Sequence, residues 1–409
     1  MEINRKLEHL TEEQIEEVIT MYKDKSIRLS NIISKYNIDV KPSGLLSILP
    51  PIKTDEVCAI CGAYLYQKLK PRTGYASDSQ KDKFCLECGH WVYAKSIWET
   101  KKCTCEGCKA IAKAEEERKK KQIQEIYSKE KAQINFTELT LSDQIKLVYV
   151  LMNNSFHNVS EIAPMEPEGK WIQYINRLTE IKAISVSPES AVNAFCKENF
   201  PNEYYVAKVQ YNVNVIFDDE ILYKINNNSY FIENSNEEEL IILLKKYIYD
   251  DLIRQFEDML NSRRLQLHIS ENANDKFIEL IDKISYTQIL TLCNRVAVFF
   301  SDKVLTGNMS KSMAKNAALL NVSKFYDRAI QSDWTINHAE ICHIGKELQS
   351  DWTINHAEIC HIGKELQFFI ERILNKKTTI LKDIASAENL RKWKNLEKDY
   401  NRQTAYAEE

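Results

Sequence analysis

Between residues 10 and 50 the apolar positions recur every three to four residues. Ile15, Val18, Ile19 and Tyr22 share one face of a helix that Thr11 can cap, and the opening turns of that helix are rich in Glu. A second helix is predicted over about 29–36. A short turn through 37–39 comes next, then a third helix near 43–49, stopped by Pro50 and Pro51. Residues 109–133 read as a charged helix, with the run Arg118, Lys119, Lys120 and Lys121 on a solvated face. The stretch 139–190 gives a helix capped by Ser142, a second helix in KWIQYINRLTEI, and alternation in KAISVSP that predicts a strand. Residues 204–232 alternate and are rich in Val, Tyr and Ile. They predict two or three antiparallel strands, with turns near Asp218-Asp219 and 226–228. From 237 onward the pattern is helical, over 237–268, 272–303, 309–330 and 367–400, with a frayed end at RQTAYAEE.

These elements predict a mainly α protein. Its parts are a helix-turn-helix-like module (1–52), a zinc-binding ribbon module (53–108), a charged linker helix (109–135), a small winged-helix-like module with β-strands (136–235) and a large helical C-terminal domain (236–409). The first three helices resemble a helix-turn-helix, with Ser43, Gly44 and Ser47 on the candidate recognition helix. A three-helix packing module that touches no nucleic acid fits the same spacing. The order of parts in 139–190 is similar to a winged helix but carries no diagnostic motif.

Residues 332–349 and 350–367 are one 18-residue unit, SDWTINHAEICHIGKELQ, written twice without change. Ser332 and Asp333 are capping residues, and Ile336, Ala339, Ile341, Cys342, Ile344 and Leu348 are its apolar positions. As a continuous helix the unit makes about five turns, so the duplication preserves the angular phase of the downstream helix; Gly345 weakens such a helix. The other outcome is that one copy loops out. Perfect identity points to a recent duplication, and a changed interaction surface is a more natural gain than new chemistry. Trp352, Ile354, Ile359 and Ile362, edged by Asp351, Glu358 and Lys364, are the expected surface.

The chain has 409 residues, only 9 Gly and 8 Pro, and a formal charge of −4, so any contact with nucleic acid must come from a local basic surface. No apolar run of membrane-spanning length occurs, and the N-terminus is too charged for a signal peptide, so the expected location is cytoplasmic with no membrane partner. Seven of the 11 Cys fall within 58–108. With no export signal, such clustering points to metal rather than disulfides. Cys58-x-x-Cys61 and Cys85-x-x-Cys88 have zinc-ribbon spacing, and Gly62 and Gly89 come directly after the two knuckles. His90, Cys103, Cys105 and Cys108 complete the number needed for a second Zn2+; sequential and cross-braced pairings both fit. Four protein ligands per ion leave no open position, so the zincs are expected to be structural. Around them lie Lys68, Lys70, Arg72, Lys81, Lys83, Lys101 and Lys102, with Tyr64, Tyr66, Tyr75, Phe84, Trp91 and Tyr93 interleaved. Cations neutralise phosphate and aromatic faces stack unpaired bases, which favours RNA, with DNA as the other nucleic-acid partner.

No P-loop, HExxH or GxSxG motif is present. Arg263-x4-His268, near the end of a predicted long helix, resembles the Rx4-6H signature of the helical HEPN ribonucleases. Arg264 stands where that family usually has Asn, Asp or His. The resemblance implies His268 as general acid/base and Arg263 as phosphate ligand; a solvated helix end accounts for the same residues without catalysis. In architecture the chain resembles the ring-activated zinc-finger ribonucleases of antiphage immunity. That resemblance implies an oligomeric endoribonuclease, silent until it senses a phage protein. A zinc-ribbon transcriptional regulator and a non-enzymatic sensing adaptor are the alternatives.

Overall fold

A computed structural model describes residues 4–72, 82–94, 101–129, 131–154, 159–166, 169–342 and 359–392. The five anticipated segments gather into two compact units, Met1–Glu125 and Ile126–Glu409.

In the first unit, α1 (Glu12–Lys23) begins with a reciprocal capping box between Thr11 and Gln14. It packs with α2 (Leu29–Lys35) and α3 (Leu45–Ile48) around buried Leu7, Val18, Tyr22, Ile32 and Leu45. The expected third helix is cut down: a 3₁₀ turn at Pro42–Gly44 leads into an α3 of four residues. The α-helical part is about 6 Å long and is bounded by Pro50-Pro51, short for a recognition helix. Four strands come next, β1 (Ile52–Val57), β2 (Tyr64–Gln67), β3 (Lys83–Cys85) and β4 (Trp91–Val92), paired antiparallel in chain order. Leu69, just past β2, is buried in the core of the three helices, which ties the end of that strand to them, while Cys58, Leu65 and Cys85 form a separate small core under the sheet. The long helix α4 (Glu106–Tyr127) runs across the division between the units, and ion pairs Glu115–Lys119 and Glu116–Lys120 line its exposed face.

The second unit opens with a short strand, β5 (Ile134–Asn135), and α5 (Leu141–Asn153). The cap of α5 is Thr140 rather than Ser142, because its hydroxyl reaches the Asp143 amide. Next come β6 (Glu161–Ile162), α6 (Trp171–Glu180), β7 (Ile184–Val186), β8 (Tyr211–Val213) and β9 (Val215–Ile216). The KAISVSP strand forms as β7, in the antiparallel order β6-β8-β7, while β5 pairs parallel with β9. The strands expected up to 232 stop at Ile216. Asp218, Asp219 and Glu220 instead open α7 (Asp219–Asn226), where carboxylates suit a helix N-terminus, and α8 (Tyr230–Asn234) buries Tyr230 and Phe231. Then α9 (Glu237–Asn261), α10 (Glu271–Ile281), α11 (Tyr286–Leu305) and α12 (Lys311–Gln331) form a bundle. The expected helix 272–303 breaks because Ser285 and Gln288 form a new capping box.

The duplicated unit is not a five-turn helix. It gives β10 (Glu340–Cys342) from the first copy, and β11 (Ile359–His361) and the start of α13 (Lys364–Phe368) from the second. A π-helical turn, Phe369–Ile373, continues α13. The first copy is seated on the start of α11. Ala339 N–H donates to Thr287 O, Gln288 Nε2 donates to Ile336 O, and His338 Nδ1 lies 2.7 Å from Thr287 Oγ1. The second copy is seated on α9, where Gly363 N–H donates to the buried Asp251 carboxylate at 3.0 Å. Asp251 also accepts from Tyr286 Oη and Arg254, so its charge is satisfied. Each seat is filled once, by different halves of the two copies. Residues 332–342 and 361–367 together make one full unit. Ile362, expected on an exposed surface, is buried at 2% exposure; Asp351, Trp352, Ile354 and Glu358 lie outside the described residues.

Candidate metal centre

The turn after β1 folds back on itself through two backbone bonds, Cys58 N–H to Ala63 O and Gly62 N–H to Cys58 O. The turn after β3 repeats the device with Cys85 N–H to His90 O and Gly89 N–H to Cys85 O. Gly62 (φ 77°) and Gly89 (φ 66°) adopt the left-handed conformation that each knuckle needs. Antiparallel pairing of β2 with β3 places Leu65 opposite Cys85 and brings the two knuckles together.

The result is a four-sulfur cluster. Cys58 Sγ lies 3.5 Å from Cys88 Sγ, and Cys61 Sγ lies 3.4 Å from Cys85 Sγ. A tetrahedral ion with about 2.3 Å bonds sets its sulfurs about 3.8 Å apart, so a small contraction separates the cluster from a loaded geometry. The second cluster is His90, Cys103, Cys105 and Cys108, whose ligand atoms, like those of the first, all lie within 4.8 Å of one another. His90 Nδ1 is 3.2 Å from Cys108 Sγ and 3.8 Å from Cys105 Sγ, so Nδ1 is the nitrogen placed to face an ion there. The pairing left open by the sequence is therefore sequential. Both quartets could hold a metal ion.

Amide N–H groups point at the sulfurs: Ile60 at Cys58, and both Trp91 and Cys105 at Cys103. Burial pushes the Cys58 thiol up, but the amides of Cys61 and Ile60 and the neighbouring thiols outweigh it and hold Cys58 at about 7. Burial likewise opposes ionisation of Cys103, yet the Trp91 and Cys105 amides and the facing side chains hold it at about 6. Burial drives Cys88 and Cys108 up to about 12. Each quartet thus offers one thiol that ionises readily, while another would give up its proton only to a bound ion. The clusters are also packed on each other. A Cβ at Gly107 would sit 2.2 Å from Ile60 Cγ2, so the start of α4 lies against the first knuckle.

The sheet has two unlike faces. Leu65 and Cys85 are buried under the first cluster with Cys58. On the other face, Tyr66 pairs with Phe84 and Phe84 with Trp91 across three strands. The Phe84 and Trp91 rings stack at 4.9 Å, and Tyr93 stacks on Trp91 at 6.0 Å. All four rings are half-exposed. Exposed Tyr64 carries the Lys53 ammonium 3.6 Å above its ring.

Other expected residues fare differently. Arg72, grouped with the phosphate-neutralising cations, is instead spent on the end of α1: its guanidinium donates to the carbonyls of Met21, Tyr22 and Ile27. Lys83 pairs with Glu56. Tyr75 and Lys81 lie outside the described residues. Arg263 and His268 do not share a helix, because α9 ends at Asn261 and Arg264 turns the chain at φ 58°. The Arg263 guanidinium donates to Met259 O and Asn294 Oδ1, and exposed His268 is held through its backbone by Lys315 O. Lys53 and Gly107 were not singled out by sequence reading; their only signals are a lysine in an alternating strand and a glycine opening a helix.

No protein-family model, no curated protein and no solved structure matches the chain. Among the described residues no helix is long and apolar enough to cross a membrane.

Proposed function

We propose that the unit Met1–Glu125 is a single-stranded RNA-binding module held in shape by two zinc ions. The observation that carries this reading is the half-exposed aromatic run Tyr66–Phe84–Trp91–Tyr93 on the sheet face opposite the first cluster. Bases stack on such rings without regard to sequence. Thiolate-rich quartets with one imidazole are the donor sets zinc prefers, and four protein ligands leave no site for substrate, so the ions would set geometry rather than react. Charge agrees: this unit carries 22 Lys and Arg against 19 Asp and Glu, whereas the second carries 33 against 40. The four-residue α3 argues against a helix that reads a DNA major groove, which favours RNA over the transcriptional-regulator alternative.

RNA cutting after sensing a phage protein is a further step of the proposal, for which Arg263 and His268 are the candidates by residue type alone. The duplicated segment would then bias which partner is recognised, and a non-enzymatic adaptor is what remains if no RNA is cut.

Fluorescence anisotropy with a 20-nucleotide single-stranded RNA tests the reading. Phe84→Ala with Trp91→Ala should raise Kd by about 1.5 to 4 orders of magnitude, from roughly 1–3 kcal/mol for each of two stacked bases, with metal content unchanged. Unaltered binding, or none by the native chain, contradicts it. In the same samples, His268→Ala should leave binding intact and abolish cleavage if the pair is catalytic.

A further inference from the structure

Where the chain leaves β2 it meets the end of α1 and closes a cleft of about 400 Å³. Lys23 and Lys25 line it from the helix side, Lys68 and Lys70 from the strand side. No carboxylate is among the described lining groups. Asp24 stands between two of the lysines in sequence, but its side chain accepts from the amide and hydroxyl of Ser26. Among the described residues none of the four ammonium groups makes an ion pair. Four cations lining one concavity without an ion pair among the described residues repel one another, and an anion seated between them relieves that repulsion.

A helix C-terminus beside the cleft would ordinarily oppose an anion, because its last carbonyls carry partial negative charge. Here two of those carbonyls are covered. The Arg72 guanidinium donates to Met21 O and Tyr22 O in the last turn and to Ile27 O in the loop beyond, which offsets part of that negative charge and ties the end of α1 to the strand side of the cleft. One arginine therefore both holds the two walls together and offsets part of the charge that would repel a phosphate. Lys68 comes two residues after Tyr66, within about 7 Å along the chain, so the first lysine adjoins the aromatic run.

We propose that this cleft takes the phosphodiester backbone of the strand whose bases stack on Tyr66, Phe84 and Trp91. The assignment rests on the RNA-binding reading above and adds to it a direction: bases on the sheet, phosphates toward α1. Each lysine is a point-charge contact, suited to a moving backbone rather than to one fixed phosphate.

The test compares salt dependence. The full chain, a quadruple variant (Lys23→Gln, Lys25→Gln, Lys68→Gln, Lys70→Gln) and a control with equal charge loss on α4 (Lys113→Gln, Lys119→Gln, Lys120→Gln, Lys121→Gln) are titrated with the same 20-nucleotide RNA. Zinc content confirms folding. The native slope of log K against log salt should fall in magnitude by up to about 2.8 in the cleft variant, from roughly 0.7 per phosphate contact, and stay constant in the control. A parallel titration with tripolyphosphate distinguishes a free polyphosphate from a nucleic-acid backbone. RNA binding that persists with an unchanged slope in the cleft variant overturns the cleft alone. Tripolyphosphate binding that needs the four lysines, without RNA binding, overturns the backbone assignment. Absence of both overturns the cleft and the RNA reading together.

Discussion

Cys88 and His90 stand two positions apart and belong to different clusters. Gly89 lies between them at φ 66°, and that turn directs one side chain to each quartet. Residue identity was therefore enough to name the ligands, while the pairing needed the fold, because spacing alone cannot say which way a turn sends its neighbours. The same holds for Arg72, whose use as a helix cap depends on Met21 and Ile27, far away in sequence. In the second unit Asp143 is the residue with the clearest pH consequence. Burial raises its pKa, but hydrogen bonds from Arg177, Lys146 and Thr140 prevail and hold it at about 2. A carboxylate whose folded pKa is depressed contributes stability that is present above its unfolded value of about 3.9 and is lost as pH falls toward the folded one. The contribution is about 2 kcal/mol. Urea unfolding of Asp143→Asn should show that deficit at pH 6, and the gap to the native chain should narrow between pH 4 and pH 2. A deficit that does not change with pH would assign the loss to packing instead.

At the scale of elements, α1, α2, α5, α6, β7 and most of the C-terminal bundle were legible because each shows a clear period, and α1 a side-chain cap as well. The region 219–234 was misread: Tyr, Ile and Phe suggest strands, yet acidic residues at its start and burial of Ile225, Tyr230 and Phe231 select helices. Tertiary packing decided there, as it often does against propensity. The duplication shows another limit, since the sequence cannot say which half of each copy is seated: Ile336 of the first copy is buried on α11, while Gly363 of the second is bonded to Asp251 on α9. Cys342 and His361 are partners in the parallel ladder of β10 and β11. Partners across a ladder lie about 4.8 Å apart, against about 3.8 Å for bonded neighbours, so removing one copy closes the chain with a shift of about 1 Å. Deleting residues 350–367 yields the same sequence as deleting 343–360 and should leave a folded chain with both seats filled. Thermal unfolding and circular dichroism should match the full chain. Loss of the cooperative transition would show that the extra copy belongs to the core.

For the whole molecule, the first unit has few buried side chains around its sheet: Cys58, Leu65 and Cys85, with Ile60, Ala63 and Cys88 beside them. So small a core is expected to need cross-links, which ions in the two quartets would supply. The proposed base-stacking face lies on the sheet that carries the first quartet, so RNA binding and metal binding should fail together when a ligand is lost. The most direct measurement is native mass spectrometry of the purified full chain, with zinc quantified by emission spectrometry, beside Cys58→Ser and Cys108→Ser. Two zinc ions are expected in the native chain. Cys58→Ser should lose the ion of the first quartet and Cys108→Ser that of the second, each together with RNA affinity. A native chain that holds one zinc or none, or serine variants that keep both ions, would contradict a unit built around two metal centres.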